Sequence, residues 1–384
     1  MNNSKAKAAG KGREFIGAGI FLLIFVGFLA LFASKMGVAN MMNTMMNTAY
    51  SLLMNTAFFL MAVAVLIGAI SALLIEFGVV KLFDFILNPL MKPVFGMPGA
   101  ASLGILTTYL SDNPAILNLA SDKSYRRYFR AYQIPALTNL GTAFGMGLIV
   151  SAYVLGMGSN IEGRVGLAVL CGNLGAVAGS ILSTRLMLGH TSKVLGKEDF
   201  ASLEDASEQR QAEKKSVGVR LLQCISDGGK NGVELGMGII PGVLVICTLV
   251  SMLTNGPSAD GTYTGAANEG IALLPLLASK IQFILQPLFG FSSDACLSVP
   301  ITALGSAGAA LGMISSLISD GLANCGDVAV FTAMCMCWSG YLSTHVAMMD
   351  VLKCSRFTGK AILFHTFGGL FAGFVAHWLY VFLA

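Results

Sequence analysis

Charge is scarce in this sequence. Asp, Glu, Lys and Arg together make up 11% of its 384 residues, against roughly 25% in a soluble domain. That shortage excludes an ordinary water-facing globule, and a net charge of only +4 is no nucleic-acid footprint. Catalytic signatures are missing too. Neither an HExxH zinc motif nor a GxSxG nucleophile turn occurs, and "NCGD" at Asn324–Asp327 is only a partial echo of an aspartyl protease. The histidines His190, His345, His365 and His377 have no metal-ligand spacing. Among the eight cysteines there is no zinc spacing, and Cys335 and Cys337 are too close along a helix to bridge. The sequence thus reads as a non-enzyme that needs no resident cofactor, with its cysteines and histidines as packing groups.

What the chain has instead is hydrocarbon: 55% hydrophobic residues and a mean hydropathy of +0.73. Seven windows run about twenty residues with almost no charge, enough to cross a bilayer core of ~30 Å as helix. They are Phe15–Phe32, Asn55–Ile75, Gln133–Leu155, Val165–Leu188, Gly236–Thr254, Val328–Met349 and Ala361–Ala384. The 45 glycines fit the same class, because small residues let membrane helices approach closely. The fold class is all-α polytopic membrane protein, with the lipid bilayer as its solvent. The basic, uncleaved leader "MNNSKAKAAGKGRE" before the first window reads as a signal anchor. The following "NMMNTMMNTAY" reads as a loop or a helix extension.

The two halves of the chain repeat. "LNPL" at Leu87–Leu90 answers "LQPL" at Leu285–Leu288, and "ASD" at Ala120–Asp122 answers "ISD" at Ile318–Asp320. Leu140, Thr142 and Met146 answer Leu342, Thr344 and Met348; Gly175, Ala178 and Gly179 answer Gly369, Ala372 and Gly373. Asn55 and Met61 answer Asn231 and Met237. Each half reads as span, interrupted segment, span, span. The interrupted segments, about 95–122 and 289–320, are too long for one crossing and too broken for one helix. A re-entrant helical hairpin is the natural form, tolerated only where protein or a cavity covers it. The expected organisation is a tail and first span at 1–50, one repeat at 51–191, a charged linker at 192–230 and a second repeat at 231–384.

Loop charges place the repeats in opposite orientation. "DKSYRRYFR" (Asp122–Arg130), the linker and "KCSRFTGK" (Lys353–Lys360) are basic and fall on one side. "GSNIEGR" and "NGPSADGTYTGAANEG" fall on the other. Under the positive-inside rule the N-terminus is cytoplasmic and the C-terminus outside, in a bacterial-type inner membrane.

Within the first hairpin, "GILTTYLSDNPAIL" (Gly104–Leu117) places Thr107, Thr108, Tyr109, Ser111, Asp112, Asn113 and Pro114 together. Pro114 suits the first turn of a helix and Asn113 its N-cap. By the repeat offset, Thr107–Leu110 and Gly305–Gly308 form the two tips. A half-helix starting at a tip offers unpaired N–H groups to a ligand, and Asp112 brings a carboxylate, either as a further cap or as a functional group. "YQIPALTNLGTAFG" supplies Gln133, Thr138, Asn139 and Thr142, with Pro135 and Gly141 able to open the helix. "MCWSGYLSTHVAMMD" supplies Ser339, Gly340, Ser343, Thr344 and His345. The expected substrate-binding set is Ser111, Asp112, Asn113, Thr108, Gln133, Asn139, Thr142, Ser306, Ser339 and Thr344. Thr107, Ser111 and Ser306 are the expected oxygen donors to a sodium ion.

This layout, with "FGMPGAASLGILTTYLSDNP" and "CGNLGAVAG", resembles the Gate or nucleoside-recognition family over roughly residues 50–384. That group includes the concentrative nucleoside transporters, spore-maturation membrane proteins and the gates of ferrous-iron transporters. The resemblance implies a small-molecule substrate between hairpin tips and broken helices, coupling to Na+ or H+, and a homo-oligomer. The chain departs from the nucleoside transporters in lacking their Gln-Thr-Glu hairpin signature; Glu76, Glu162, Glu234 and Glu269 lie outside the expected tips. A secondary transporter of a small polar solute and a non-transporting membrane scaffold of the spore-maturation type both fit the residues.

Overall fold

The computed structural model describes residues 2–121, 123–197, 216–258 and 260–384. Of the charged linker expected at 192–230, residues 198–215 lie outside the described residues. Among them, seven helices are long and apolar enough to cross a membrane.

Helix α1 (Asn2–Met36) leads into α2 (Val38–Glu76). The side chains of Phe15, Leu22 and Leu23 on α1 are exposed, as lipid-facing residues must be in a chain with too few charges to cover its surface. A short helix α3 (Val79–Leu90) precedes two shorter ones, α4 (Ala101–Leu110) and α5 (Pro114–Ser121). Then come α6 (Ile134–Thr142), α7 (Gly147–Gly156) and α8 (Val165–Leu195). The second half repeats this order: α9 (Val217–Thr254), α10 (Leu273–Lys280), α11 (Gln282–Phe289), α12 (Ser298–Gly305) and α13 (Ala307–Ser319). It finishes with α14 (Cys325–Trp338), α15 (Tyr341–Val351) and α16 (Thr358–Leu383).

Arm length decides what the two hairpins are. The arms α4, α5, α12 and α13 have 10, 8, 8 and 13 residues. At ~1.5 Å per residue none exceeds about 20 Å, short of the ~30 Å core. They enter and return. Each half then crosses fully three times, so the halves lie inverted.

Two helix pairs hold the halves together through glycine. On α2 and α9, a Cβ at Gly68 would overlap the Gly228 carbonyl, and one at Gly232 would overlap the Ala64 carbonyl. On α8 and α16, Gly179 faces the Gly368 carbonyl in the same way. Such close backbone approach is what replaces the hydrophobic effect between helices in lipid. Both α2 and α9 contain a π-helical turn, at Leu53–Ala57 and Val243–Cys247. Both turns touch α13. Cys247 donates its S–H to the Ala309 carbonyl at 2.8 Å, and a Cβ at Gly312 would lie 2.8 Å from Thr56 Cγ2.

The helices that were expected to open do so, but not where proline and glycine suggested. Pro135 sits at the start of α6, where a missing N–H costs nothing. The chain leaves the helix after Thr142 and re-enters α7 from left-handed Met146 (φ 56°). Its counterpart breaks at Ser339 (φ 41°) and Gly340 (φ 69°). Met146 and Gly340 stand 194 positions apart, as do Gly175 and Gly369. The matching of Leu140, Thr142 and Met146 with Leu342, Thr344 and Met348 is therefore not the structural one; the helix break, not the side chains, sets the register.

The Met- and Asn-rich "NMMNTMMNTAY" is helix, and its spacing has a purpose. Asn40, Thr44, Asn47 and Thr48 fall on one face of α2 at helical intervals. Asn40 Nδ2 donates to the Tyr263 carbonyl at 2.9 Å, Asn47 Nδ2 to the Gly265 carbonyl at 2.8 Å, and Thr48 Oγ1 accepts from Asn268 N–H at 2.8 Å. At the centre of this loop Glu269, 4% exposed, accepts from Ser258 Oγ at 2.6 Å, Thr264 Oγ1 at 2.7 Å and Gly265 N–H at 2.9 Å. Burial alone would raise its pKa, but these donors outweigh burial and hold the carboxyl at about 2.

A carboxyl depressed on folding from 4.5 to about 2 stabilises the loop fully above pH 4.5 and loses that contribution as pH falls toward 2. The wild-type melting temperature is thus expected to fall more steeply between pH 5 and pH 3, roughly the upper part of that window, than that of Glu269→Gln. Parallel melting curves of the two proteins across this range would show that the carboxylate does not clamp the loop.

Candidate functional site

The two hairpin tips and the two helix breaks meet around one cavity of about 270 Å³. The first tip is Ser111–Asn113, between the end of α4 and the start of α5, a few residues beyond the expected Thr107–Leu110. The second is Ser306, in extended conformation between α12 and α13. Asp112 and Asn113 line the cavity from one side, Ser306 and Gly308 from the other, with Met146, Ser339 and Thr344 from the breaks. Gly238 and Gly242 of α9 close it.

Hydrogen bonds tie the tips to the breaks. Asn113 Nδ2 donates to the Ser339 carbonyl at 3.0 Å, and Gly340 N–H to the Ala303 carbonyl at 2.9 Å. Ser306 Oγ accepts from Ala309 N–H at 3.2 Å and caps α13. Asn113 was expected to cap α5 in the same way. It does not: its Oδ1 is buried without a partner, because the amide is turned toward Ser339. Ser339 Oγ is likewise buried and unpartnered. Both atoms converge on Gly145, where a Cβ would overlap Asn113 Oδ1 and lie 2.7 Å from Ser339 Oγ. A buried polar atom without a partner costs about 1–3 kcal/mol, and a non-glycine residue held at positive φ, as at Met146 and Ser339, costs of order 1–3 kcal/mol. These costs fall together where the first tip meets the two helix breaks.

Several expected site residues are used elsewhere. Thr107 Oγ1 donates to the Leu103 carbonyl at 2.8 Å and Thr108 Oγ1 to the Gly104 carbonyl, so both hydroxyls are spent within α4. Gln133 Oε1 accepts from Arg130 N–H at 2.9 Å at the foot of α6. Asn139 Nδ2 donates to Ser183 Oγ at 2.8 Å and to the Ala361 carbonyl at 3.0 Å, gluing α6 to α8 and α16. Thr142 Oγ1 faces Met348 Sδ at 3.6 Å. None of these five lines the cavity. Ser111 lines a second cavity beside the first tip.

Two features escaped the sequence. His345 and His365, twenty positions apart, pack as tilted rings with centroids 4.6 Å apart in the core. His365 Nε2 contacts the Cys337 carbonyl at 2.6 Å, so it carries the proton. In the neutral ring Nδ1 then accepts from Ser183 Oγ at 3.1 Å. "NCGD" is a capping box: Asn324 Oδ1 accepts from Gly326 N–H at 2.7 Å, and Asp327 Oδ2 accepts from Asn324 N–H at 2.8 Å. The second carboxylate oxygen of Asp327 accepts from Ser292 N–H at 2.9 Å.

Because Asn113 Oδ1 caps nothing, Asn113→Ala is expected to cost only the bond to Ser339, about 0.5–1.5 kcal/mol, with helical content by circular dichroism unchanged. A loss well above about 2 kcal/mol together with lower helicity would restore the capping role.

No protein-family model and no curated protein matches the sequence. Solved structures do. A variant of CNTnw in an outward-facing state is similar with a TM-score of 0.55 at 14% identity, over 85% of this chain and 76% of that one. CNTnw in an inward-facing, substrate-bound state gives 0.54 at 14%, over 85% and 75%. A variant in an intermediate state gives 0.54 at 15%, over 96% and 87%. At this identity the likeness is one of fold: the chain is a polytopic helical membrane protein folded like the concentrative nucleoside transporter CNTnw.

Proposed function

We propose that this protein is a secondary transporter that carries a small polar solute through the membrane, driven by a gradient of Na+ or H+. The observation that carries this reading is the polar cavity where two re-entrant tips meet two broken helices, lined by Asn113 and Ser339, whose buried Oδ1 and Oγ are left unpartnered. Helix ends and irregular backbone at bilayer depth are the usual means of holding a solute and an ion at the interface of inverted repeats. At about 270 Å³ the cavity lies just below the ~300–1,000 Å³ range of drug-sized pockets, which suits a metabolite of nucleoside size or smaller. The structures with this fold are of a protein seen outward-facing, inward-facing and in between, a set of states that transport by alternating access needs.

In this reading Asn113 Oδ1 accepts from a substrate hydroxyl or amine, Ser339 Oγ donates or accepts, and the N-terminus of α13 beside Ser306 supplies N–H groups. Asp112, which lines the cavity and is placed just before α5, gives the site its charge. In this reading the N-terminus lies on the cytoplasmic side, which the basic loops support.

The test is uptake into proteoliposomes of a panel of nucleosides, nucleobases and small polyols under an imposed Na+ or pH gradient. At least one solute is expected to accumulate against its gradient. Asp112→Asn keeps shape while removing charge, and should lower uptake about 10- to 100-fold with normal insertion and melting, the effect of a lost charge-assisted hydrogen bond. Uptake by Asp112→Asn equal to wild type, or no gradient-driven uptake of any solute, would refute the reading.

A further inference from the structure

A second cavity, of about 350 Å³, shares Asp112 with the solute cavity. It is bounded by α2, α9 and the first hairpin, and the polar residues lining it are Ser71, Ser111, Asp112, Asn231 and Glu234. Glu234 is outside both tips in sequence, yet the packing of α2 on α9 through Gly68, Gly228 and Gly232 brings it to the same space as Asp112.

We propose that this cavity is a cation site, in which the carboxylates of Asp112 and Glu234, with the hydroxyls of Ser71 and Ser111, hold a hard metal cation. Three observations converge. The first is charge: two carboxylates from different elements share the cavity, and no basic side chain lines it among the described residues. The nearest basic residues along α9 are engaged elsewhere, Arg220 with Glu76 at 2.6 Å and Lys230 with Asp227 at 3.6 Å. Acidic groups at membrane depth require a counter-charge, and a cleft lined by one sign of charge concentrates ions of the other.

The second is Ser71. It is 4% exposed, lines the cavity, and its Oγ has no hydrogen-bond partner. A serine inside a membrane helix ordinarily returns its hydroxyl to the carbonyl one turn back; Ser71 does not, which leaves an unpartnered hydroxyl in the wall of a cavity that Asp112 and Glu234 also line. The third is ligand chemistry. Carboxylate, hydroxyl and amide oxygens, without thiol or imidazole, are the donors that select hard cations over soft ones.

This site deepens the transporter reading and rests on it for its consequence. Asp112 lines both cavities, so a cation held in one changes the field felt by a solute in the other. Binding at either cavity then changes affinity at the other by the same factor.

The experiment uses the purified full chain in nanodiscs, in N-methyl-D-glucamine chloride at fixed ionic strength and pH. The melting temperature is followed as NaCl, KCl, MgCl2 or CaCl2 replaces the organic salt. At least one metal is expected to raise it saturably. Glu234→Gln and Ser71→Ala should each shift the half-saturating concentration upward by about tenfold or more, while melting like wild type in the organic salt alone. Thr107→Val, which removes a hydroxyl already spent within α4, should leave it unchanged. Binding of radioactive sodium or calcium to the same variants gives a second readout independent of folding. The proposal is overturned if no metal stabilises the protein, if Glu234→Gln titrates like wild type, or if only protons produce a Glu234-dependent shift. Ion-driven uptake that persists in Glu234→Gln with unchanged ion dependence would reject this site and leave transport standing. Metal binding lost in Glu234→Gln, without uptake of any solute, would keep the site and reject transport.

Discussion

In hydrocarbon an unsatisfied backbone N–H or carbonyl costs several kcal/mol, and the rest of this structure is organised around that penalty. The two tips and two breaks each end a helix at membrane depth. Both hairpins are tied to the second break: Asn113 reaches the Ser339 carbonyl, and Gly340 N–H reaches the Ala303 carbonyl. An interruption is tolerated because an interruption from the other half, or a hairpin, lies against it. Two-fold repetition is thus a physical solution to the problem that broken helices create, and the cavity is the space that mutual covering does not fill.

Much of the architecture was legible in the sequence for the same reason. Seven apolar windows announced the spans, and the clustering of Gly, Ser, Thr and Pro announced the hairpins, because only covered backbone may carry such residues in lipid. Details at the level of single residues were less readable. Hydroxyls in apolar helices look like ligands, but Thr107 and Thr108 return theirs to α4, a local bond that composition cannot distinguish from an available one. Asn113 before Pro114 has the pattern of an N-cap, yet the preference of Asn for capping is worth only about 1 kcal/mol, and a carbonyl across the cavity outcompetes it. Pro135 marks the start of α6 rather than its break, and the break itself falls at Met146 and Ser339, residues with no intrinsic preference for left-handed backbone.

Long-range convergence was the least visible. Thr44 and Glu269 are 225 positions apart, and no local pattern joins the Asn–Thr face of α2 to the loop it clamps. Glu234 looked remote from the tips because distance along the chain was the only measure available. The contact of His345 with His365 arises from two helices, α15 and α16, that fold back on each other, so a spacing rule for metal ligands could not detect it.

The π-helical turns carry a consequence for how this framework tolerates change in length. A wide turn holds one residue more than its α-helical equivalent, and each residue advances a helix by about 100°. Everything on α2 beyond Leu53–Ala57 therefore owes its azimuth to that extra residue, including Gly68 against α9 and Ser71 against the acidic cavity. Removing one residue there would relax the turn to ordinary helix while rotating the glycine face away from its partner. A local gain in regularity would unmake the contact that assembles the two halves. The irregular turn works as a phase setter, fixing at one end of a long helix which side chains meet at the other.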